Sequence, residues 1–91
     1  MKPGRKLVQQ GAESLTDSEL IALLIGSGCA GHSAEDIGRA VMERYGTLDK
    51  LMDQPLVEMA EIKGMGVTNT LRVAAAYELV RRIIKYLEQN G

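Results

Sequence analysis

The sequence predicts an all-α fold of five helices. Apolar residues recur at helical spacing, capping residues stand before these runs, and glycines stand after them. No stretch of useful length alternates between apolar and polar residues, so we expect no β-strand. A chain of 91 residues can bury one modest core. We therefore expect a single domain over residues 13–91, preceded by a basic and partly flexible lead-in over residues 1–12.

The first two helices have the same start signal. Thr16 stands three residues before Glu19, and Ser33 stands three residues before Asp36, which is the spacing of a capping box. A glycine follows each apolar run, as is common at helix C-termini. These signals predict one helix from Thr16 to about Ile25 and a second from Ser33 through Tyr45.

Three further helices follow in the second half of the chain. Thr47 can cap a short connector helix that contains Leu48, Leu51 and Met52. Pro55 suits the first position of a fourth helix, which we expect to extend through Ile62. The longest helix is predicted from about Val67 to Glu88, where apolar residues recur every four positions at Leu71, Ala75, Leu79, Ile83 and Leu87.

Two Gly-x-Gly turns organise these helices. Gly26 and Gly28 map onto Gly64 and Gly66 at a constant offset of 38 residues. Under the same offset, the apolar residues before the first turn map onto apolar residues before the second. The sequence therefore predicts two helical hairpins joined by the short connector helix.

The second Gly-x-Gly turn has the chemistry of a phosphate site. Its glycines permit positive φ and leave no Cβ in the way of an external group. Because a helix begins at once, the amides of Gly66, Val67 and Thr68 would point outward at the positive end of its dipole. Lys63 and Arg72 would add positive charge. The predicted DNA-binding residues are Lys63, Gly64, Met65, Gly66, Val67, Thr68, Asn69 and Arg72, with the Met65 side chain turned inward to anchor the turn.

A structural interpretation of this turn remains open. Gly-x-Gly also lets two helices turn a tight corner, and Lys63 and Arg72 would then be ordinary solvated charges.

Four segments carry a family resemblance: residues 11–20 (GAESLTDSEL), 23–28 (LLIGSG), 45–48 (YGTL) and 62–66 (IKGMG). In this order they resemble the N-terminal domain of the RadC-like family, which is labelled a DNA repair family. The resemblance spans roughly residues 5–83. It implies a tandem helix-hairpin-helix fold that grips the minor-groove backbone of duplex DNA without reading sequence.

The resemblance has two further implications. Such hairpins can hold a monovalent cation on their carbonyl oxygens, so the second hairpin could hold one; no other cofactor is expected. In the family this domain precedes a metal-dependent, deubiquitinase-like domain, and nothing in this sequence matches that domain. We therefore expect a fragment or truncated relative that is not itself an enzyme.

The distribution of charge makes the two predicted hairpins unequal. Residues 7–38, which contain the whole first hairpin, include five acidic residues and no Lys or Arg. Affinity for duplex DNA comes mainly from contacts between cations and phosphates. The first hairpin is therefore expected to be structural or to face a protein. The second hairpin also departs from the usual motif. Such motifs often have Pro, Lys and Ala at the positions of Val67, Asn69 and Thr70, so the positive charge of that Lys is absent here.

Composition excludes several other classes. Three tyrosines without Phe or Trp cannot build the stacking platform of a single-strand binder. One cysteine and one histidine are too few for a zinc site of four protein ligands. Cys29 and His32 could form a thiol nucleophile and its base, but no third residue is specified to orient them, which favours a free thiol and a loop histidine. The apolar run Leu20–Ile25 is too short for a signal peptide or a membrane span, so we expect a cytoplasmic protein with no membrane partner.

The sequence thus predicts weak, sequence-independent contact with duplex or branched DNA through residues 63–72. The alternative is a protein-interaction or scaffolding module that self-associates or docks onto a C-terminal catalytic domain.

Overall fold

The computed structural model describes residues 1–91 and confirms the all-α class. It has no strand, and its one isolated antiparallel bridge pairs Cys29 with His32. None of its helices combines the length and the apolar character that crossing a membrane requires. The α-helices are α1 (Pro3–Gln10), α2 (Asp17–Ile25), α3 (Ala34–Tyr45), α4 (Leu56–Ala60) and α5 (Gly66–Asn90), and short 3₁₀ segments cover Ala12–Ser14 and Leu48–Leu51.

Both predicted capping boxes are confirmed. The Thr16 hydroxyl accepts a hydrogen bond from the Glu19 amide at 3.2 Å, and the Glu19 carboxylate accepts one from the Thr16 amide at 2.8 Å. Ser33 and Asp36 repeat this exchange at the start of α3, at 3.0 and 3.3 Å. Hydrogen bonds to the capping residues lower the pKa of both the Glu19 and the Asp36 carboxyl groups. Local sequence alone therefore determines where α2 and α3 begin.

Two pairs of consecutive helices pack together, α2 against α3 and α4 against α5. We call them the first pair and the second pair; their identity as helix-hairpin-helix motifs remains a prediction. In the first pair, Gly38 of α3 lies so close to α2 that a Cβ there would overlap the Ser18 carbonyl oxygen. Helix α5 also packs against α2, which joins the two pairs around one core. The core residues are Ile21, Ile25, Ile37, Val41, Leu51, Met59, Met65 and Val73.

The lead-in contains a helix that the sequence analysis does not assign. Pro3 stands at the first position of α1 and is buried. The Lys6 ammonium contacts the Glu19 carboxylate of α2 at 3.0 Å. These contacts with α2 hold α1 in place, and they are long-range in sequence, so periodicity within residues 1–12 does not reveal them.

The connector and the end of α4 differ in the structure from what the sequence predicts. Thr47 makes no capping hydrogen bond to the backbone, and the segment after it, Leu48–Leu51, is a 3₁₀ turn rather than an α-helix. Helix α4 ends at Ala60, so Ile62 lies beyond it. The Ile62 amide instead bonds to the Met59 carbonyl in a tighter turn. Both segments are too short to add many α-helical hydrogen bonds, which explains the tighter turns.

Candidate nucleic-acid interface

The turn between α4 and α5 is tightly folded around a buried side chain. Gly64 and Gly66 have φ of 88° and 62°, in the region that favours glycine. Met65 lies between them with 1% of its surface exposed, so the prediction that it anchors the turn from inside is confirmed. Its amide donates to the Ile62 carbonyl at 2.9 Å.

The two glycines of this turn have different roles. A Cβ on Gly64 would lie 2.7 Å from the Ile37 side chain of α3, so this glycine lets the turn pack against the first pair. A Cβ on Gly66 would meet no atom within 4 Å. Gly66 therefore leaves open surface above the start of α5, where an external group can approach the backbone.

The N-terminus of α5 is uncapped. No side chain accepts a hydrogen bond from its first amides, and its first turn contains no acidic residue. The amides of Gly66, Val67 and Thr68 are among the first four of the helix and have no partner within it. The Thr70 hydroxyl accepts from none of these amides and donates to the Gly66 carbonyl at 2.6 Å. The segment 62–77 contains no Asp or Glu, but Glu61 lines the same surface pocket as Val67 and Thr70, so one carboxylate lies near the positive end of the α5 dipole.

The polar side chains predicted at this site are placed differently from one another. Lys63 and Thr68 are exposed, and Lys63 forms no ion pair within the chain. Asn69 is half-buried, and its side-chain amide donates to the Gly64 carbonyl at 3.4 Å. A monovalent cation on this turn would have to share the Gly64 carbonyl with Asn69.

Arg72 has a structural contact that sequence reasoning missed. Its guanidinium donates to the Ile25 carbonyl, at the C-terminus of α2, over 2.6 Å. A Cβ on Gly26 would lie 3.8 Å from the same nitrogen, so Arg72 sits directly beside the first Gly-x-Gly turn. The rest of the residue is exposed, and a guanidinium has five N–H donors. Arg72 therefore links the two pairs through one of its donors, and its other donors form no hydrogen bond within the chain.

Cys29 and His32 face each other across the loop of the first pair. Their backbones exchange two hydrogen bonds, at 2.9 and 3.0 Å. The Cys29 thiol is free and exposed, and its one polar contact is with the Ala30 carbonyl, at 3.9 Å. The structure contains no group of three or more His, Cys, Asp or Glu residues that could hold a metal ion. The spacing of Cys29 and His32 thus reflects a tight turn of the backbone.

Comparison with known proteins places this fold in a family. Residues 1–71 match the family description "UPF0758 N-terminal". A UPF0758 protein of Paraburkholderia xenovorans is 36% identical over 80 residues, which are 88% of this chain and 32% of that protein. A UPF0758 protein of Acinetobacter baumannii is 38% identical over 85 residues, 93% of this chain and 36% of that protein.

A third relative extends the match almost to the end of α5. A UPF0758 protein of Xanthomonas euvesicatoria is 38% identical over 90 residues, 99% of this chain and 40% of that protein. This chain therefore spans between about a third and two fifths of the length of these relatives. No solved structure matches it. The similarities confirm the family resemblance, and the chain belongs to the RadC-like UPF0758 family, with residues 1–71 corresponding to its N-terminal domain.

Proposed function

We propose that this chain is a non-catalytic domain that binds the backbone of duplex or branched DNA through the turn between α4 and α5. Binding is weak and does not depend on sequence. The observation that carries the proposal is the uncapped start of α5, where the exposed residues Gly66, Val67 and Thr68 have no side chain capping their amides and a Cβ on Gly66 would meet only open space. Backbone amides at a helix N-terminus are common ligands of phosphate groups.

The surrounding charge also supports a single weak contact. Lys63 is exposed and unpaired, and Arg72, six residues after Gly66 in α5, has donors that form no hydrogen bond within the chain. The start of α3 in the first pair is the opposite case, since the Ser33–Asp36 box occupies its amides and adds negative charge. Two cations on one pair give few ionic contacts with phosphates, which is why the expected affinity is low.

The proposal is tested by titrating labelled duplex with the chain at two salt concentrations. With about two phosphates contacted, affinity should fall about tenfold between about 50 and 200 mM salt. Lys63→Ala should reduce the slope of log affinity against log salt by about 1. Lys85→Ala is the matched control, because Lys85 is also exposed and unpaired but lies 19 residues beyond Gly66 on the same helix. Binding that is absent at low salt, or equal slopes for both variants, would contradict the proposal.

A second pair of variants tests the backbone contact without changing charge. Gly66→Ala adds a methyl group over the open amides at a cost of about 1 kcal/mol for the left-handed conformation. Gly31→Ala is the control, because Gly31 also has a positive φ, 82°, and a Cβ there would likewise meet nothing. We expect similar loss of stability in both variants, with weakened DNA binding only in Gly66→Ala. Equal binding by the two variants would show that the turn does not approach the phosphates.

The alternative, a protein-interaction or scaffolding module, is favoured by a different observation. The second half of α5 exposes large apolar side chains, among them Leu79, Ile83 and Leu87, each more than half exposed. This surface is separate from the turn, so the two functions are compatible in one chain.

A further inference from the structure

The second half of α5 has an apolar face that nothing in the chain covers. Six of its large apolar residues are between 43% and 64% exposed. At 3.6 residues per turn they occupy about half of the circumference of the helix, and the charged residues occupy the other half. We call this face the α5 stripe; its residues are Leu79, Val80, Ile83, Ile84, Tyr86 and Leu87.

The centre of the α5 stripe continues a seam that begins in the core. Val73, Tyr77, Val80, Ile84 and Leu87 are separated alternately by four and three residues, the heptad spacing of helices that pack along their length. Val73 is fully buried in the core, and the Tyr77 hydroxyl donates to the Leu48 carbonyl at 2.7 Å. The chain therefore covers the first two positions of the seam and leaves the last three exposed.

We propose that a second copy of this chain covers the α5 stripe, with the two α5 helices packed antiparallel. The exposed area is sufficient for such a pair. Val80, Ile83, Ile84 and Leu87 lie on or beside the seam; with roughly 100 Å² exposed on each, two copies would remove about 800 Å² from water, which fits a weak association. Heptad spacing also matches a partner that presents the same seam.

The position of the domain selects the antiparallel orientation. Helix α2 and the Leu48–Leu51 segment cover the first half of the face that carries the α5 stripe. In a parallel pair, the two domains would lie at the same end of the pair. Each domain covers the face of its own α5 that would have to contact the other helix, so the two domains would collide. An antiparallel pair keeps the domains at opposite ends, and only the uncovered halves of α5 overlap.

Charge on the edge of the seam agrees with this orientation. Packing Ile84 against Leu87 of the second copy brings Arg81, which already pairs with two carboxylates of its own chain, near Glu88 of the second copy, since both lie on the same edge of the seam. Glu88 forms no ion pair within its own chain. In a parallel pair, the same edge would place Arg81 and Glu88 beside Ala76 and Ile83, which offer no charge.

The charges on the opposite face favour a protein partner over a lipid surface. Helices that lie on membranes are rich in Lys and Arg on their polar face. Here Glu78 pairs with both Arg81 and Arg82, and Asp53 pairs with Arg81 as well. Lys85 is the one basic residue of this region that remains unpaired, so attraction to anionic lipid would be small.

Sedimentation equilibrium of the full chain over about 10 µM to 1 mM tests the pairing. The apparent mass should rise with concentration towards twice that of the monomer. Ile84→Asp should weaken association at least about tenfold, because it places a charge in the centre of the seam. Gln89→Asp is the matched control, since it adds the same charge to the polar face of the same helix and should leave association unchanged. Far-UV circular dichroism of both variants is the control for folding, and we expect helical spectra like that of the unmodified chain.

Cross-linking tests the orientation. In a Cys29→Ser background, chains with Ile84→Cys and chains with Leu87→Cys are mixed and oxidised by air. The antiparallel pair predicts disulfide-linked heterodimers, whereas a parallel pair would give homodimers of each variant.

Three results would overturn the proposal. They are a monomer at every concentration, association that Ile84→Asp leaves unchanged, and cross-linked homodimers in place of heterodimers. Binding of monomeric chain to vesicles of anionic phospholipid, without self-association, would also overturn it and assign the α5 stripe to lipid.

Discussion

The first and second helix pairs both contain a Gly-x-Gly sequence, but they differ at the start of the helix that follows it. In the first pair, α3 begins with a reciprocal capping box, and Glu35 and Asp36 add negative charge to its first turn. In the second pair, α5 begins without a side-chain cap and without an acidic residue in its first turn. The first pair therefore bonds the Ser33 and Asp36 amides within the chain, whereas no side chain caps the first amides of α5.

This difference concerns how each helix start is stabilised and whether its amides are open to an external group. A capping box stabilises a helix by pairing amides that would otherwise be open. The second pair forgoes that contribution, and its turn is instead held by Met65 from inside and by packing of Gly64 against Ile37. A turn held by packing on its inner side keeps its outer side free, which is the requirement for a phosphate contact.

The largest expected effect comes from the closest contact in the first pair. Gly38→Ala places a methyl group against the Ser18 carbonyl oxygen, so α2 and α3 must separate. We expect unfolding free energy to fall by about 3 kcal/mol, at the upper end for overpacking of a core. Urea denaturation measures this change. Arg39→Ala, at the neighbouring exposed position, should cost about 0.5 kcal/mol or less. A Gly38→Ala variant as stable as the unmodified chain would mean that the pair is not closely packed.

The contact between the pairs should give the next largest effect. Arg72→Ala removes the hydrogen bond to the Ile25 carbonyl, and a bond from a charged donor contributes about 2 kcal/mol. Arg82→Ala is the control, because Arg82 contacts only Glu78 on the surface of α5, in a pair worth about 0.5 kcal/mol. Equal stability of the two variants would show that Arg72 does not hold the pairs together.

The starts of α2 and α3 could be predicted from sequence because the interactions that determine them are local. Thr16 and Glu19, like Ser33 and Asp36, are three residues apart, and their hydrogen bonds depend on no other element. The inward position of Met65 follows in the same way, from an apolar residue between two glycines that permit a tight turn.

The features that could not be predicted depend on contacts between distant residues. Helix α1 is held by a contact between Lys6 and Glu19, which are 13 residues apart. Arg72 and Ile25 are 47 residues apart, so nothing in the motif around Arg72 indicates that it contacts α2. The sequence identified the residue types of the candidate site, but the contacts of Arg72 and Asn69 with the protein backbone required the folded chain.

Removing the cap of α3 should lower the stability of the first pair by a smaller amount. Ser33→Ala deletes the side chain that accepts from the Asp36 amide, and we expect a loss of about 1 kcal/mol. Thr68→Ala, in the first turn of the uncapped helix, should cost much less because the Thr68 side chain caps no amide. Chemical denaturation of both variants measures the difference. Equal losses would mean that the two helix starts do not differ as described.

The smallest expected change in stability comes from a substitution that makes the start of α5 resemble the start of α3. Thr68→Glu places an acidic residue in the first turn of α5 and should stabilise the fold by about 0.5 kcal/mol through the helix dipole. The same change should weaken DNA binding about tenfold, because a carboxylate then competes with the phosphate. Thr68→Gln controls for shape and should change neither quantity much. Unchanged DNA affinity in Thr68→Glu would show that the start of α5 is not part of the DNA-binding surface.

The most direct test of the account is to map the amide signals of the chain by NMR during titration with duplex DNA at low salt. We expect the amides of Gly66, Val67 and Thr68 to shift in proportion to bound DNA, and the amides of residues 26–36 in the first pair to stay in place. Shifts confined to residues 26–36, or no shifts at all, would contradict the claim that the uncapped helix start is the site of DNA contact.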